Sequence, residues 1–99
     1  MAKHTIKVTG LAWFKREHYA KLKKLFTDGR KFPDTYDKWL KKATRSFEQK
    51  QAEGVFVEKV FIEPEAFFNW CHDHGQRTDA PARFTYVNDC LASKYKSQA

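Results

Sequence analysis

Apolar residues recur along the chain in a pattern that alternates helix-like and strand-like segments. Four stretches place apolar side chains at intervals of three and four residues, which puts them on one side of an α-helix. They cover residues 14–27, 35–53, 64–74 and 80–95. Two stretches rich in β-branched and aromatic residues, 4–9 and 55–62, predict strands. The pattern predicts an α+β fold: four helices packed with two short strands, order β-α-α-β-α-α, in a single domain 1–99.

Start and stop signals set the predicted boundaries in the first half. Gly10 ends the first strand, and Asp28-Gly29 ends the first helix, with Gly29 supplying a residue that tolerates positive φ. Asp34 is the predicted N-cap of the second helix, and Gly54 is its end. The two strands are separated by a long helical connection, which permits either a parallel or an antiparallel pair.

In the second half, Pro64 fits the first turn of the third helix, with Glu63 before it. Gly75 ends that helix and Asp79 caps the last one, whose first turn tolerates Pro81. Trp70 and Cys71 belong to the predicted inner face of the third helix, and the buried side of the last helix reaches from Phe84 to Tyr95. The residues predicted to be largely buried are Trp39, Leu40, Phe47, Phe61, Phe67, Trp70, Phe84, Val87 and Leu91.

Phe56 and Phe68 are left outside that predicted core. If both are exposed and contiguous, the surface they form is expected to bind a partner or a second subunit. A monomer is otherwise favoured.

Charge changes the picture, because it is divided unequally between the halves. Residues 1–50 hold 14 Lys and Arg against 5 Asp and Glu, whereas residues 51–99 hold 5 against 7. The formal net charge of +7 is therefore a property of the first half. Such asymmetry indicates a polyanion or an acidic partner, since Lys and Arg displace counterions from phosphates.

Two basic stripes account for this excess. On the second helix the stripe lies opposite the apolar face, and on the first helix it does the same, with Lys21 near its edge. Three interpretations stay open: a solvated helix face, a nucleic-acid interface, or a surface for an acidic protein. The leading hypothesis is a small non-enzymatic nucleic-acid-binding protein; the alternative is an interaction module or small regulatory subunit. The candidate nucleic-acid-binding residues are Arg16, Lys23, Lys24, Lys38, Lys41, Lys42 and Arg45.

Cysteine and histidine supply the only cluster with metal-ligand chemistry. Cys71 and His74 lie one helical turn apart, and Cys90 or His18 could complete a zinc site, whereas His72 points to a different side. No second recognisable ligand pair is present, so we predict no metal, no cofactor and no Cys71–Cys90 disulfide. A Cys–His nucleophile pair lacks an orienting group and an oxyanion hole. We therefore predict no catalytic residues and no enzyme activity.

Spaced motifs distributed over most of the chain give it a family resemblance. They are Trp13, Tyr19, Phe32-Pro33-Asp34-Thr35-Tyr36-x-x-Trp39, Val60-x-Ile62-x-Pro64-x-x-x-Phe68-x-x-Cys71 and Asp79-x-x-x-Arg83. In these residues the chain resembles a group of short bacterial proteins without assigned function, and the resemblance implies a bacterial, cytosolic, single-domain protein. Asp79 and Arg83 are expected to form an ion pair, four residues apart.

The element order of residues 57–91 also resembles that of ribbon-helix-helix regulators, in which two chains pair one strand each. The candidate strand offers no convincing face for reading bases, and Glu58 and Glu63 would repel phosphates. An interior strand of a monomer is favoured instead.

The location of the protein is predicted from what the sequence omits. No apolar run approaches the length of a membrane span, and the first residues lack the apolar stretch of a signal peptide. A cytoplasmic protein without a membrane partner is therefore expected. Cys71 and Cys90 are expected to be buried free thiols.

Overall fold

A computed structural model describes residues 8–96 of the chain. Two strands, four α-helices and one 3₁₀-helix follow one another in the predicted β-α-α-β-α-α order. They are β1 (Val8–Trp13), α1 (Arg16–Leu25), the 3₁₀-helix (Gly29–Lys31), α2 (Tyr36–Ala52), β2 (Phe56–Phe61), α3 (Pro64–Asp73) and α4 (Ala80–Lys96). The predicted α+β class is confirmed.

The two strands pair in parallel, with Val8 opposite Phe56 and Trp13 opposite Phe61. A parallel pair needs a long crossover, which α1, the 3₁₀-helix and α2 provide. β2 thus takes its partner from the same chain, but in the described residues it is an edge strand of a two-stranded sheet, so the prediction of an interior strand is wrong. The first strand was predicted at 4–9; residues 4–7 lie outside the described part, and the observed strand continues to Trp13.

Gly10 lies inside β1, so its predicted role as the end of the strand is wrong. A Cβ atom at this position would lie 2.4 Å from Val87 Cγ1 and 2.7 Å from Leu91 Cδ1. The absence of a side chain therefore lets α4 lie directly on the sheet.

The opposite face of the sheet is covered by aromatic rings from α2. The ring centroid of Trp13 lies 5.3 Å from that of Trp39 and 6.0 Å from that of Phe47, both nearly edge-on. The Lys59 ammonium of β2 lies 4.4 Å from the centroid of Trp13. Because alternate residues of a strand point to opposite faces, α2 and α4 enclose the sheet between them.

A second part of the core lies where α1 meets α2 and α3. Tyr19, predicted at the edge of its stripe, is buried, and its hydroxyl donates to the carbonyl of Pro33 at 2.5 Å. Tyr36 donates similarly to the carbonyl of Phe14 at 2.9 Å. The buried apolar residues are Trp13, Phe14, Tyr19, Leu22, Phe26, Trp39, Ile62, Phe67, Cys71, Ala82, Val87 and Leu91.

Helix ends follow most of the predicted signals. Glu63 caps α3 by accepting from the backbone of Ala66, and Asp79 caps α4 by accepting from that of Ala82. Gly54 and Gly75 follow α2 and α3 with positive φ, as expected. The N-cap of α2 is Thr35, which accepts from the Lys38 backbone, so the prediction of Asp34 is wrong by one residue.

Gly29 does not have the predicted positive φ. A Cβ there would lie 1.7 Å from the carbonyl oxygen of Lys23. Glycine is needed at this position because the 3₁₀-helix closes tightly against the end of α1.

Three aromatic residues expected on buried faces are exposed: Phe61, Phe84 and Tyr95, with 50%, 70% and 41% of their surface accessible. Phe61 is exposed because the α2 rings of Trp39 and Phe47 contact Trp13, its neighbour on β1, instead. Phe84 and Tyr95 are exposed because α4 buries a different side, centred on Ala82, Tyr86 and Val87. Trp39, Phe67, Val87 and Leu91 are buried as predicted, and Leu40, Phe47 and Trp70 are half-buried.

Candidate nucleic-acid interface

Four cations form an exposed stripe along the outer side of α2, hereafter the α2 stripe: Lys38, Lys41, Lys42 and Arg45. Successive residues of a helix are about 100° apart, which places all four opposite the side that Trp39 and Phe47 press on the sheet. Within residues 8–96, none of the four has a carboxylate oxygen within 4.0 Å. The stripe therefore presents uncompensated positive charge from one rigid helix.

In the described part of the chain, the carboxylates on α2 that border the α2 stripe lie on one side of it. A shallow groove along α2 is lined by Asp37, Leu40, Lys41, Thr44, Arg45 and Glu48. Asp37 and Glu48 lie on the flank shared with Lys41, whereas Lys38 and Lys42 lie on the other flank. An anion is therefore expected to approach from the side of Lys38 and Lys42.

Of the three candidate cations predicted on α1, Arg16 makes polar contacts with α2. Its guanidinium donates to the Asp37 carboxylate at 2.7 Å and lies 4.7 Å from the Tyr36 ring centroid. The hydrogen bond that Arg16 donates to Asp37 raises the pKa of Arg16, which stays charged. Both side chains are exposed, so the pair is open to solvent and to competing anions.

The remaining predicted cations lie in the last turn of α1. Lys24 is exposed and Lys23 is half-buried beside the close approach of Gly29. Sequence reasoning omitted two further exposed cations, Arg30 and Lys31 of the 3₁₀-helix. The sequence feature that could have identified them is their position directly after Gly29, in a segment interpreted as the end of a helix. Of the seven predicted residues, the four on α2 lie on one helix face and Arg16 adjoins its first turn.

The aromatic residues Phe56 and Phe68 are both exposed, but they line different surfaces. Phe56 is opposite Val8 in the sheet, and Val8 lines a shallow depression with Leu91 and Tyr95. Phe68 lines a separate groove between α1 and α3, together with Lys21 and Leu25 among others. Phe56 and Phe68 therefore do not form the single contiguous surface that a partner site containing both would require.

The cysteine and histidine side chains have other contacts. The Cys71 thiol is buried and faces the carbonyl of Arg77 at 3.7 Å. His74 is exposed: its ring stacks on Trp70 with centroids 4.2 Å apart, and its Nδ1 lies 2.8 Å from the Trp70 carbonyl oxygen. Burial raises the pKa of Cys71 and of Cys90, which disfavours a nucleophilic thiolate. Among residues 8–96, no three His, Cys, Asp or Glu side chains are grouped as a metal site would require.

Arg83 pairs with Asp28, not with Asp79 as the motif spacing predicted. Its two terminal nitrogens donate to the two Asp28 oxygens at 2.9 and 2.8 Å. The guanidinium also lies over the rings of Phe26 and Phe32, 4.4 and 5.0 Å from their centroids. The hydrogen bonds from Arg83 lower the pKa of Asp28. This pair ties α4 to the start of the 3₁₀-helix that follows α1 and has a structural role.

Comparison with protein-family models, with curated proteins and with solved structures gave no match to this chain. The two resemblances drawn from the sequence remain predictions. Between residues 8 and 96, no helix has both the length and the apolar character needed to cross a membrane.

Proposed function

We propose that this chain is a small, non-enzymatic nucleic-acid-binding protein that contacts phosphates through the α2 stripe. The observation that supports this function best is the set of four exposed cations without a carboxylate partner in the described residues. On a surface that is merely solvated, acidic residues commonly alternate with basic ones. Here they are confined to one flank.

The dimensions of the stripe suit a nucleic-acid backbone. Lys38 and Arg45 are seven residues apart, which is about 10 Å along a helix. Phosphates of one strand of B-DNA follow one another every 3.4 Å or so along the duplex axis, so the stripe spans about three phosphate steps. Lys and Arg contacts to phosphates give affinity and orientation without reading the bases. Binding is therefore proposed to depend on charge and only weakly on sequence.

The test is fluorescence anisotropy with labelled single- and double-stranded oligonucleotides at several salt concentrations. Replacing Lys38, Lys41, Lys42 and Arg45 together with Glu is expected to abolish binding at low salt. A matched control makes the same change in net charge at four exposed positions outside α2, namely Lys21, Arg30, Lys31 and Arg77. The control is expected to bind more weakly than wild type but measurably. Equal losses in both variants, or no binding by wild type at low salt, would refute the proposal.

A second candidate function is binding of an acidic protein. It is favoured by the groove between α1 and α3, where the exposed ring of Phe68 lies beside Leu25 and Pro64. One cation, Lys21, and one carboxylate, Glu65, also line this groove. An aromatic surface with an adjacent cation suits a partner that has both an apolar and an acidic side chain. A partner that stays bound after nuclease treatment, and that Phe68→Glu releases, would favour this function over the first.

The proposed setting is the cytosol. Cys71 and Cys90 are both free thiols, and the raised pKa values that burial gives them make them slow to react. A reducing compartment is compatible with such thiols. Thiol titration of the denatured, unreduced protein is expected to find two free thiols per chain.

A further inference from the structure

Between Ala80 and Tyr95, where the structure describes the side chains of α4, its outward face has no charged residue. Pro81, Phe84, Thr85, Asn88, Ala92 and Tyr95 form this α4 strip, and all six are exposed. At about 100° per residue they fall within an arc of roughly 100°, and they extend about 21 Å along the helix. Charged residues make up 31% of the chain, so an uncharged exposed face of this length is unusual for it.

The charged side chains described on α4 lie off the strip and contact their own chain. Arg83 binds Asp28, and Lys94 binds Glu58. Asp89 accepts a hydrogen bond from the Trp70 indole nitrogen at 3.1 Å. The ring of Phe84, the most exposed large apolar side chain described, remains in water on the strip. An apolar, uncharged helix face in water is typical of an interaction surface.

We propose that the α4 strip binds the α4 strip of a second copy of this chain, with the two helices antiparallel about a twofold axis that passes by Asn88. The argument is the order of residues along the strip. Asn88 is midway between Phe84 and Ala92, and also midway between Pro81 and Tyr95. A twofold axis at Asn88 therefore places Phe84 against Ala92 of the second copy and Tyr95 against Pro81 of the second copy.

Each of these contacts matches a large side chain with a small one, as packed helices require. A parallel pair would instead oppose Phe84 to itself and Ala92 to itself, leaving a bulge and a gap. At the axis, two Asn side chains meet, and an amide can donate to and accept from another amide at the same time. A single Asn in a helix interface also fixes the register.

Charge favours a second copy over other partners. A strip without charge has nothing to pair with an acidic or a basic partner. On a chain of net charge +7, it is also a surface where two copies can meet with few opposing cations. The cation beside the strip, Lys94, lies 5.5 Å from the Tyr95 ring centroid and is paired with Glu58, which also accepts from the Tyr95 hydroxyl. The apolar residues Val8 and Phe56 adjoin the Tyr95 end of the strip and enlarge the contact.

The size of the strip and the net charge set the expected strength. A stable dimer buries roughly 800 Å² on each partner, more than one helix face of this length provides. The two copies also repel each other. We therefore expect a reversible dimer that dissociates to monomers at micromolar concentration and forms at higher concentration. Because salt screens the repulsion, rising ionic strength is expected to tighten the dimer.

The experiment is analytical ultracentrifugation of nuclease-treated protein over a concentration series reaching the millimolar range. Wild type is expected to shift from 11.7 kDa toward twice that mass. Phe84→Glu is expected to abolish the shift, while Phe68→Glu, the same change at an exposed ring on α3, leaves it intact. Circular dichroism confirms that both variants fold. A wild type that stays monomeric, or a Phe84→Glu variant that still dimerises, overturns the proposal.

Two further sets of variants test the twofold register itself. Phe84→Ala and Ala92→Phe are each expected to weaken the dimer at least several-fold, and the double variant is expected to restore it, because the sizes are exchanged across the axis. Asn88→Asp and Asn88→Lys should each stay monomeric, since like charges meet at the axis. Mixed in equal amounts, they should form heterodimers. A mixture that stays monomeric, or a double variant as weak as the singles, overturns the register.

Discussion

α2 and α4 are helices of equal length, 17 residues each, that cover opposite faces of the same two-stranded sheet. α2 packs through rings, with Trp39 and Phe47 against Trp13, and its outer side is cationic. α4 packs on β1 where Gly10 has no side chain, so that Val87 and Leu91 contact the strand backbone, and its outward strip is uncharged. Equal positions in the fold thus have opposite surface chemistry.

The difference teaches that the two outer faces are not determined by the requirements of packing. Either helix would cover the sheet with a mixed, solvated outer surface, as most surface helices do. The cations of α2 and the uncharged strip of α4 therefore need a separate explanation. We assign the first to a polyanion and the second to a copy of the same chain.

Salt gives the largest expected contrast between the two surfaces. With four phosphate contacts on the α2 stripe, nucleic-acid affinity is expected to fall about 150-fold between roughly 50 and 200 mM salt. Self-association through the α4 strip is expected to strengthen over the same range, because screening reduces the repulsion between cationic chains. Anisotropy and sedimentation on one preparation measure both. Two curves that change in the same direction would mean that one surface serves both functions.

Gly10→Ala tests how closely α4 packs on β1. Because the added methyl group overpacks this contact, we expect the free energy of unfolding to fall by about 1–3 kcal/mol. The sign is diagnostic, because replacing glycine with alanine inside a strand otherwise stabilises it by about 0.5–1 kcal/mol. Urea unfolding provides the measurement. Thr9→Ala, the neighbouring change on the face toward α2, is the control. If Gly10→Ala were stabilising, α4 could not lie as close to β1 as described.

The same two helices show what the sequence could predict. On α2, apolar and cationic residues occupy opposite sides, so periodicity identified the buried side and the stripe correctly. On α4, periodicity selected Phe84, Val87, Leu91 and Tyr95, of which Val87 and Leu91 are buried and the other two are exposed. The centre of the buried side is rotated by roughly 90° from the predicted one, toward the buried Ala82 and the half-buried Tyr86 and Cys90. An uncharged outer strip looks like a core face to any periodicity count, because only tertiary contacts distinguish the two.

Contacts between distant residues were also beyond prediction. Arg83 and Asp28 are 55 residues apart, and Arg16 and Asp37 are 21 apart. Local spacing paired Arg83 with Asp79 because four residues is one helical turn, but Asp79 is used as the cap of α4. Charge composition could indicate a polyanion partner, but which cations are free of carboxylates depends on the fold.

Arg83→Lys sharpens the comparison by weakening the attachment of α4 to the start of the 3₁₀-helix without changing the net charge. Losing the two-pronged hydrogen bond to the largely buried Asp28 is expected to cost about 1.5–3 kcal/mol at neutral pH. Because Arg83 lowers the folded-state pKa of Asp28, its stabilisation is present above the unfolded value near 4 and is lost as pH falls through the folded value. The difference between wild type and variant in urea unfolding should therefore shrink from pH 7 to pH 2. A difference independent of pH would assign the loss to the ring contacts of Arg83 instead.

Asp37→Asn gives the smallest expected effect and tests where the α2 surface ends. The change releases Arg16 from its exposed pair at the first turn of α2, next to the α2 stripe. Nucleic-acid affinity should rise a few-fold, and the salt slope should steepen by about 0.9, the contribution of one added phosphate contact. Glu48→Gln is the matched control, since it removes a carboxylate from the same flank. In the described residues no cation is paired with Glu48, so this change releases none. It should raise affinity while leaving the slope unchanged. If both variants steepen the slope equally, Arg16 is not part of the interface, and the phosphate-binding surface is limited to Lys38, Lys41, Lys42 and Arg45.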